Sequence, residues 1–555
     1  MEQPRRHVLF VCPAKQLQQE QSGYFMRHSC RLILNCAVGG VMLACAGAAT
    51  AEDGVVGIHD PSTIVADHGK YYTYGTGGGA LVSDDGWVWR RGERPMITGA
   101  APDVIHIGDR YYMYVARGRG AATKAEIKML WTKSLDPSSP DYKWVEGGVV
   151  ASSDGLEDLN AIDPGLFLDP TTGKLWMVYG SYFGYIQIVE LNPKTGERLD
   201  PKVPAKNVAI NCEASDLIFH DGWYYLLATH GSCCAGANSG YNIRVGRSRK
   251  VTGPYLDAEG VDMIQGGGKL LIGSGGRLIG AGHFGLIDLG DGVQKFSMHW
   301  EADLDRGGAS VLAVRPLLWK DGWPVAGESL KPATYEIESV RTGTALEMAV
   351  AGMPIGGFPR RFRGGPPAGS GPGGQAGAPG AGPGAPAGGN AAARPVGGPP
   401  QGGPPPGGGF GMFGGTGKPI PDQDAAQVSK DWLEGNVDAG MSNYMSQAQQ
   451  KWQITPVAEA GGYLGGPYVK ITIAGTDRTL AATAEGELVV LPSFTGAPEQ
   501  LWRLDQLADG SWRIEPKAIP NSKEPMAMSA VGASSATLSK FDAKSDKQHW
   551  LLKTP

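Results

Sequence analysis

The sequence Asp221-Gly222-Trp223-Tyr224-Tyr225-Leu226-Leu227 joins a turn signal to an aromatic-rich strand. Asp and Gly favour tight turns, whereas aromatic and branched side chains favour strands. The same unit recurs four more times between Ile58 and Gly327. The other copies are His68-Gly69 before residues 70–74, Gly108-Asp109 before 110–114, Thr172-Gly173 before 174–179, and Asp291-Gly292 before 295–300.

Five copies of one hairpin unit predict a five-bladed β-propeller, because a single blade cannot bury both faces and ring closure protects strand edges. Helical periodicity is nearly absent over this stretch, which disfavours a (β/α)₈ barrel. We therefore predict an all-β chain whose propeller domain spans residues 52–330.

A triple motif, Gln-x-Trp, marks the C-terminal part of the chain. It recurs at intervals of roughly fifty residues, as expected for three-fold internal repetition. The series resembles the ricin-type β-trefoil, a fold common in lectins, in which these tryptophans are core residues. The resemblance implies a β-trefoil-like carbohydrate-binding domain over residues 334–555. The three copies are Gln450-Lys451-Trp452, Gln500-Leu501-Trp502 and Gln548-His549-Trp550.

Residues 352–421 consist largely of Gly, Pro and Ala. Such a segment cannot bury enough apolar surface to offset the entropy lost on ordering, so we predict that it is disordered. No strict Gly-X-Y period is kept, which excludes a collagen helix. Because the first trefoil repeat would begin near Tyr335, the segment is predicted to be an insertion within that repeat.

Residues 1–51 are predicted to be a leader that contains a secretory signal peptide. The basic segment Met26-Arg27-His28 precedes an apolar stretch over residues 32–46, and Ala49-Thr50-Ala51 suits cleavage before Glu52. Met26 is then the expected start of translation. The apolar stretch is too short for a stable membrane span, so we expect a secreted protein, either extracellular or periplasmic.

Length and charge limit the classes of partner. The chain has 555 residues, which is enough for two or more domains. Its formal net charge is -5 and it has no long run of Lys or Arg, so nucleic acid is not an expected partner. We expect a monomer.

Three of the seven cysteines, Cys212, Cys233 and Cys234, lie outside the leader. Three cysteines do not make a disulfide framework. A bridge between the adjacent Cys233 and Cys234 would close a small strained ring. Two arrangements are therefore compatible with the sequence: a bond from Cys212 to one of that pair, or three buried thiols.

Three carboxylates stand just before strand signals in the propeller segment. They occur in His59-Asp60-Pro61, Asn160-Ala161-Ile162-Asp163-Pro164 and Cys212-Glu213-Ala214. Glycosidic bond cleavage needs one carboxyl group that protonates the leaving oxygen and a second that activates water. Carboxylates at equivalent turns of a propeller would converge on its axis, which predicts a glycan-cleaving site.

The propeller segment resembles glycoside hydrolase family 43, especially its endo-arabinanase branch. The resemblance implies an inverting hydrolase with Asp60 as general base, Glu213 as general acid and Asp163 as the residue that orients the acid and keeps it protonated. In such an enzyme the two carboxyl groups stand about 6.5–9.5 Å apart so that a water fits between them. Besides the carboxylate motifs, the matching segments include Ala101-Pro102-Asp103, Tyr179-Gly180-Ser181-Tyr182-Phe183-Gly184, the loop from Cys233-Cys234 to Tyr241-Asn242-Ile243, and Gly280-Ala281-Gly282-His283.

The same resemblance implies further site residues. Asn160, Ser181, Tyr182 and Phe183 match segments that contact sugar, with packing of the two aromatic rings between blades as the alternative. His283 matches an axial histidine that helps to hold a hydrated calcium ion, or a sodium ion. Water would supply most ligands of such an ion, because hard cations prefer oxygen.

Together these features predict a secreted hydrolase that cleaves α-1,5-arabinofuranosidic bonds in plant cell-wall arabinan. One alternative is an exo-acting α-L-arabinofuranosidase or a β-xylosidase, because the same three carboxylates would serve those substrates. Another is a non-catalytic carbohydrate-binding protein, since both predicted folds can bind sugar without cleaving it. Ala100 and Ser232 stand where relatives commonly have aromatic residues, which leaves endo or exo action open.

Overall fold

The structure is a computed structural model that describes residues 52–118, 124–153, 160–350, 429 and 432–555. The predicted leader, 1–51, and the predicted insertion, 352–421, lie outside the described residues. The regular secondary structure of the described chain is mostly β-strand, as predicted. None of its helices is long and apolar enough to cross a bilayer. Those helices are single 3-10 turns: Thr76–Gly78, Gly236–Asn238, Met263–Gln265, Leu304–Arg306, Ala448–Gln450, Ala458–Ala460, Pro498–Gln500 and Asp546–Gln548.

Five antiparallel sheets form the blades of a β-propeller, and each predicted aromatic segment is the second strand of its blade. A short strand, β1 (Asp53–Gly54), pairs in parallel with the outer strand of blade 1. Blade 1 contains β2 Val65–Asp67, β3 Lys70–Gly75, β4 Gly79–Ser83 and β5 Val88–Arg91; blade 2 contains β6 Ala100–Ile107, β7 Arg110–Arg117, β8 Glu126–Thr132 and β9 Val145–Ser152; blade 3 contains β10 Gly165–Leu168, β11 Leu175–Tyr179, β12 Tyr185–Leu191 and β13 Lys206–Ile210; blade 4 contains β14 Glu213–His220, β15 Trp223–His230, β16 Asn242–Ser248 and β17 Lys269–Ile272; blade 5 contains β18 Leu278–Asp288, β19 Gln294–Asp303, β20 Ala309–Lys320 and β21 Trp323–Ala326.

The ring of blades is closed by the segment that precedes blade 1. Leu312 in β20 donates its backbone N–H to the Val56 carbonyl (2.8 Å), and Ile58 donates to the Ser310 carbonyl (3.2 Å). The first and last blades are thereby joined by the same backbone pairing that holds each blade together. No strand edge is left open at the junction of blades 1 and 5, which is the advantage of a closed ring.

The C-terminal residues form one large β-sheet that closes on itself. Six strands pair in a ring, in the order β22–β25–β28–β31–β32–β35 and back to β22. Three hairpins, β23–β24, β29–β30 and β33–β34, complete the three repeats, so the arrangement is trefoil-like. The strands are β22 Ala333–Ser339, β23 Ala345–Met348, β24 Val437–Ser442, β25 Trp452–Pro456, β26 Gly462–Tyr463, β27 Gly466–Pro467, β28 Val469–Ile473, β29 Thr479–Ala482, β30 Leu488–Leu491, β31 Trp502–Gln506, β32 Trp512–Pro516, β33 Met526–Ala530, β34 Ala536–Lys540 and β35 Trp550–Lys553.

The three repeated tryptophans are core residues, as the motif predicts. Trp452, Trp502 and Trp550 are all 0% exposed and belong to one apolar cluster. Each indole N–H donates to a carbonyl in the second strand of a repeat, because a buried N–H must find an acceptor. The acceptors are the carbonyls of Leu346 (2.9 Å), Leu480 (3.1 Å) and Met528 (2.9 Å), respectively.

A buried ion cluster joins the C-terminal sheet to the propeller. The ammonium group of Lys295, in β19, lies 2.8 Å from Asp505 Oδ1 and also donates to the Leu464 carbonyl. Arg503 and Arg513 contact the other oxygen of Asp505, at 2.5 Å and 3.2 Å. Burial alone would raise the pKa of Asp505, but the three cations outweigh it and hold that pKa well below its usual range.

All five blades share an unusual backbone turn near the start of their first strand. A non-glycine residue there has φ between 45° and 63°, a left-handed conformation that costs roughly 1–2 kcal/mol. The five first strands contact one another in sequence around the axis, from β2 to β6, β10, β14 and β18. The turn therefore places five equivalent residues at the axis: Asp60, Ala101, Asp163, Ala214 and His283.

Replacing Asp505 with Asn should destabilise the whole chain, because the buried Lys295 would lose its counter-charge and the partners Arg503 and Arg513 would lose one of theirs. The expected loss in the free energy of unfolding is about 3–5 kcal/mol, measured by denaturant titration. The matched control is Asp477→Asn, at an exposed position of the same domain, which should leave the transition unchanged. Equal stability of the two variants would show that the cluster does not join the domains.

Candidate active site

A cavity of about 330 Å³ lies where the first strands of blades 1, 3 and 4 begin. Its volume falls in the lower part of the range of roughly 300–1,000 Å³ that is typical of small-ligand sites. Each of those three blades contributes the residue in the left-handed turn and the residue before it. The lining residues are His59, Asp60, Thr76, Ile162, Asp163, Glu213, Ala214, Cys233, Cys234, Gly236, Tyr241 and Glu301.

Asp60 is surrounded by hydrogen-bond donors. Its Oδ2 accepts from His59 Nδ1 (2.9 Å) and from Thr76 Oγ1 (2.5 Å), and its Oδ1 lies 3.5 Å from His283 Nδ1. Its backbone N–H donates to Nδ1 of His299 (2.9 Å). Burial alone would raise the pKa of Asp60, but the contacts with His283 and His59 outweigh burial and lower that pKa well below its usual range. Asp60 is therefore an ionised carboxylate at neutral pH.

His59 bridges two carboxylates. Its Nδ1 faces Asp60, and its Nε2 lies 3.0 Å from Glu301 Oε1. Burial alone would lower the pKa of His59, but hydrogen bonds to the two carboxylates outweigh it and raise that pKa to about 10. His59 is thus an imidazolium that donates in both directions, and it fixes the orientation of Asp60.

Glu213 has a different environment, made of neutral hydroxyl groups. Ser181 Oγ donates to its Oε2 (2.5 Å), and the phenol of Tyr241 donates to its Oε1. Glu213 is 8% exposed. Burial first, and then the charge of Glu213, raise the pKa of Tyr241 far above its usual range, so the phenol keeps its proton. Asp60 and Glu213 thus differ in whether cations or hydroxyls hold them.

The three predicted catalytic carboxylates meet in this cavity, but they do not occupy equivalent turns. Asp60 and Asp163 both lie at the left-handed position, whereas Ala214 takes that position in blade 4 and Glu213 precedes it. The same bulge occurs at the left-handed residue in the first strands of blades 2, 4 and 5, so it accompanies the turn and does not by itself set blade 4 apart. The prediction of equivalent turns is corrected to that extent.

The predicted sugar-contacting residues separate into two groups. Asn160 is 4% exposed, and its amide accepts from Ser181 N–H (2.9 Å) and donates to the Tyr185 carbonyl (2.8 Å). Ser181 is 2% exposed and contacts Glu213. Tyr182 and Phe183 are 42% and 50% exposed, and the Tyr182 hydroxyl donates to the Thr229 carbonyl in blade 4 (3.3 Å). Tyr182 thus contacts the next blade while part of its ring stays exposed, whereas Asn160 holds the backbone beside Ser181.

Several cavity residues were not singled out by the sequence. Thr76, Tyr241 and Glu301 line the cavity and contact Asp60, Glu213 and His59, respectively. His299 is 0% exposed and stacks on His59 with ring centroids 4.7 Å apart. The sequence of β19 contains a pattern that points to two of these residues. His299 and Glu301 are two residues apart, so their side chains lie on the same face of the strand.

His283 takes the left-handed position in blade 5 and is 6% exposed. Burial alone would lower its pKa, but its contact with Asp60 outweighs burial and raises that pKa. Within the described ranges, both groups of three close metal-ligating side chains include His59 and neither includes His283. The side chains at His283 thus do not form a calcium cage, since calcium takes six to eight oxygen ligands. The calcium ion stays a prediction.

The cysteine arrangement differs from both predicted ones. Cys233 and Cys234 form a disulfide with each other, and Cys212 is a free, buried thiol. The reason is that Cys212 lies in a different place from the other two cysteines. Cys212 packs in the apolar cluster of blades 3 and 4. Cys233 and Cys234 lie on a loop at the cavity, where Cys233 is half-buried and Cys234 is exposed. The structure therefore has neither a bridge to Cys212 nor three buried thiols.

Comparisons with known proteins match the propeller segment of this chain to a family of glycosyl hydrolases. The model of the glycosyl hydrolases family 43 matches residues 57–324. The chain is 31% identical over 306 residues to the extracellular exo-α-(1→5)-L-arabinofuranosidase ArbA of Cellvibrio japonicus, which covers 49% of this chain and 87% of that protein. It is 29% identical over 230 residues to the extracellular endo-α-(1→5)-L-arabinanase 1 of Bacillus subtilis, covering 40% of this chain and 67% of that protein.

Among solved structures, a similar chain is an exo-1,5-α-L-arabinanase from a bovine ruminal metagenomic library. The two chains are 33% identical, and the match covers 51% of this chain and 99% of the other with a TM-score of 0.45.

The double carboxylate contact of His59 predicts its titration. A pKa raised to about 10 means that this imidazolium stabilises the folded state fully below pH 6.5 and loses that contribution as pH rises towards 10. Imidazole carbon–proton NMR signals should therefore show His59 still protonated at pH 8. His230, whose pKa burial lowers to about 4, should be neutral at pH 6 in the same spectra.

The variant Glu301→Gln removes one carboxylate from His59 and should lower the midpoint of its titration. His59→Asn identifies the signal by its absence. A His59 signal that titrates near pH 6.5 in the unmodified protein would contradict the bridged arrangement.

Proposed function

The chain belongs to glycosyl hydrolases family 43, and on that premise we propose that it hydrolyses α-1,5-arabinofuranosidic bonds in arabinan with inversion at the anomeric carbon. The observation that carries the proposal is the unequal environment of two carboxyl groups in one cavity. Asp60 is held by cations and stays ionised, whereas Glu213 is contacted by two hydroxyls. Such a division of environments suits one base and one acid.

In the proposed reaction Asp60 accepts a proton from water while the water oxygen attacks the anomeric carbon. Glu213 gives its proton to the leaving glycosidic oxygen as that bond breaks. His59 and Thr76 orient the Asp60 carboxylate, and Ser181 and Tyr241 orient Glu213. Asp163, which lines the same cavity, is proposed to keep Glu213 in its acid form through its negative charge.

The two carboxyl roles predict different responses to the leaving group. Glu213→Gln should lower kcat by about 10²–10⁴-fold on arabinan but much less on an aryl arabinofuranoside, because a phenolate leaves without a proton. Asp60→Asn should lower kcat by a similar factor on both substrates, since water must be activated in each reaction. Steady-state kinetics on debranched arabinan and on 4-nitrophenyl α-L-arabinofuranoside measure the difference.

Proton NMR of the first product completes this test, because inversion of an α-bond releases β-arabinofuranose before mutarotation. Initial release of the α-anomer would refute inversion. Equal losses on both substrates for Glu213→Gln would remove the assignment of Glu213 as the acid.

The relatives name two modes of action, exo for the Cellvibrio protein and endo for the Bacillus protein. We propose an endo mode for this chain, with exo action as the second candidate that the Cellvibrio relative favours. Product sizes from reduced arabinohexaose distinguish the two modes. An endo enzyme gives products of intermediate length from the start, whereas an exo enzyme gives a single short product.

We further propose that the protein is exported by its N-terminal leader and that the trefoil-like domain binds plant polysaccharide. The names of both relatives include the word extracellular, which supports export. The resemblance of the Gln-x-Trp repeats to lectin domains supports sugar binding.

Removal of residues 331–555 should weaken binding to insoluble arabinan while sparing hydrolysis of the aryl substrate. Truncation exposes the Lys295 ammonium to water, because its contacts Leu464, Tyr463 and Asp505 all lie in the removed domain. Binding is measured by co-sedimentation, with the full-length chain as the control. Equal binding by the two proteins would contradict a targeting role.

A further inference from the structure

The Cys233–Cys234 disulfide forms part of the wall of the candidate active site. Both residues line the cavity together with Asp60, Glu213 and Glu301. Cys234 is exposed and Cys233 half-buried, so a ligand or a reagent in the cavity can reach the sulfur atoms. The proposed reaction gives this disulfide no role.

The pair is also linked to the residues that orient Asp60. The backbone N–H of Cys234 donates to Glu301 Oε1 (3.3 Å), the same oxygen that lies 3.0 Å from His59 Nε2. The loop is held at its base, where Ser239 Oγ donates to the Ser232 carbonyl (2.8 Å) and Gly240 N–H donates to Ser232 Oγ (3.0 Å). The disulfide is thus fixed between the loop base and Glu301.

The cavity lining includes apolar surface on which a sugar ring can pack. Seven of its lining residues are charged or carry a hydroxyl or imidazole group, and the phenol of Tyr241 is engaged by Glu213. The apolar side chains are Ile162, Ala214 and the two cysteines. Sugar-binding sites combine a few polar contacts with apolar surface under the ring carbons. The disulfide is the part of this apolar surface that lies beside Glu301 and His59.

We propose that the Cys233–Cys234 disulfide is a substrate-contacting apolar wall of the active site, and that its redox state sets the affinity for the sugar chain. The proposal rests on the arabinan-hydrolysing function proposed above. The disulfide and the peptide between the two residues close a small ring, so the two sulfur atoms present one fixed face. Opening the ring frees both side chains to rotate and replaces this face with two polarisable thiols.

The opening step is a thiol–disulfide exchange with a dithiol reductant. One reductant thiolate attacks one protein sulfur, the S–S bond breaks, and a mixed disulfide forms. The second reductant thiol then displaces that sulfur and closes the reductant into a cyclic disulfide. The protein gains two electrons and two protons as two S–H groups, and the reductant is oxidised by the same amount.

The test compares oxidised and dithiothreitol-reduced protein on arabinohexaose, after thiol titration shows two additional thiols. Reduction should raise KM by about tenfold, the size expected for loss of one apolar contact in a pocket, with a smaller change in kcat. Reoxidation should restore the original KM. The double variant Cys233→Ser, Cys234→Ser should have the raised KM and no response to the reductant.

A second readout does not depend on turnover. In the Glu213→Gln background, calorimetric binding of arabinohexaose should weaken by the same factor on reduction, which also covers the case that the double variant does not fold. Unchanged KM and binding in the reduced protein, or a fall in kcat alone, would overturn the proposal and leave the hydrolase function standing. Absence of hydrolysis of every arabinan substrate by the oxidised protein would instead refute the proposed function.

Discussion

Five inner strands must approach one axis, and the chain must turn sharply to enter each of them. The turn is made by a residue in the left-handed backbone region in every blade, although none of the five is glycine. A cost of roughly 1–2 kcal/mol per residue, repeated five times, persists because the surrounding sheets leave the chain no other path. Those turns point their side chains, or the ones just before them, at a common centre, and the candidate active site is the result.

In blade 2 the same turn contributes no side chain to the cavity, although the Ala101 N–H donates to Oγ1 of Thr76 (2.8 Å). Its axial residues are the small Ala100 and Ala101, while Asp103, two positions further on, is buried. The carboxylate of Asp103 accepts from Thr63 N–H in the segment entering blade 1 (3.0 Å) and from Leu166 N–H in blade 3 (2.9 Å). One buried carboxylate therefore ties three blades together beside the axis. Burial raises its pKa despite these hydrogen bonds.

The sequence reveals the blades because their signals are local. Each aromatic segment follows its own turn within a few residues, and each Trp of the C-terminal repeats has its Gln two positions away. Asp60, Asp163 and Glu213 can be recognised in the sequence for the same reason, because each lies in a short motif of adjacent residues. In contrast, Glu301 meets His59 across 242 residues of chain, and nothing near either residue signals the pairing. The offset of Glu213 from the left-handed turn follows from which residue adopts the positive φ, and the residue types around Glu213 do not reveal that. The Cys233–Cys234 disulfide differs from the prediction because Cys212 is buried away from the loop that carries the pair, and that separation is not visible in the sequence.

Strand β19 runs from the contact with the C-terminal domain to the candidate active site. Lys295, near its start, is buried against Asp505 of the C-terminal domain, and Glu301, near its end, lies in the cavity. Six residues of extended chain span about 20 Å, so the domain contact and the cavity are well separated along one rigid strand. The other contacts between the domains agree with this placement. The Ala508 carbonyl accepts from Trp319 N–H beyond the middle of β20, and Asp85, in the turn between β4 and β5, accepts from Gly462 N–H. The C-terminal domain is therefore attached away from the cavity, and a long sugar chain can enter the site without displacing it.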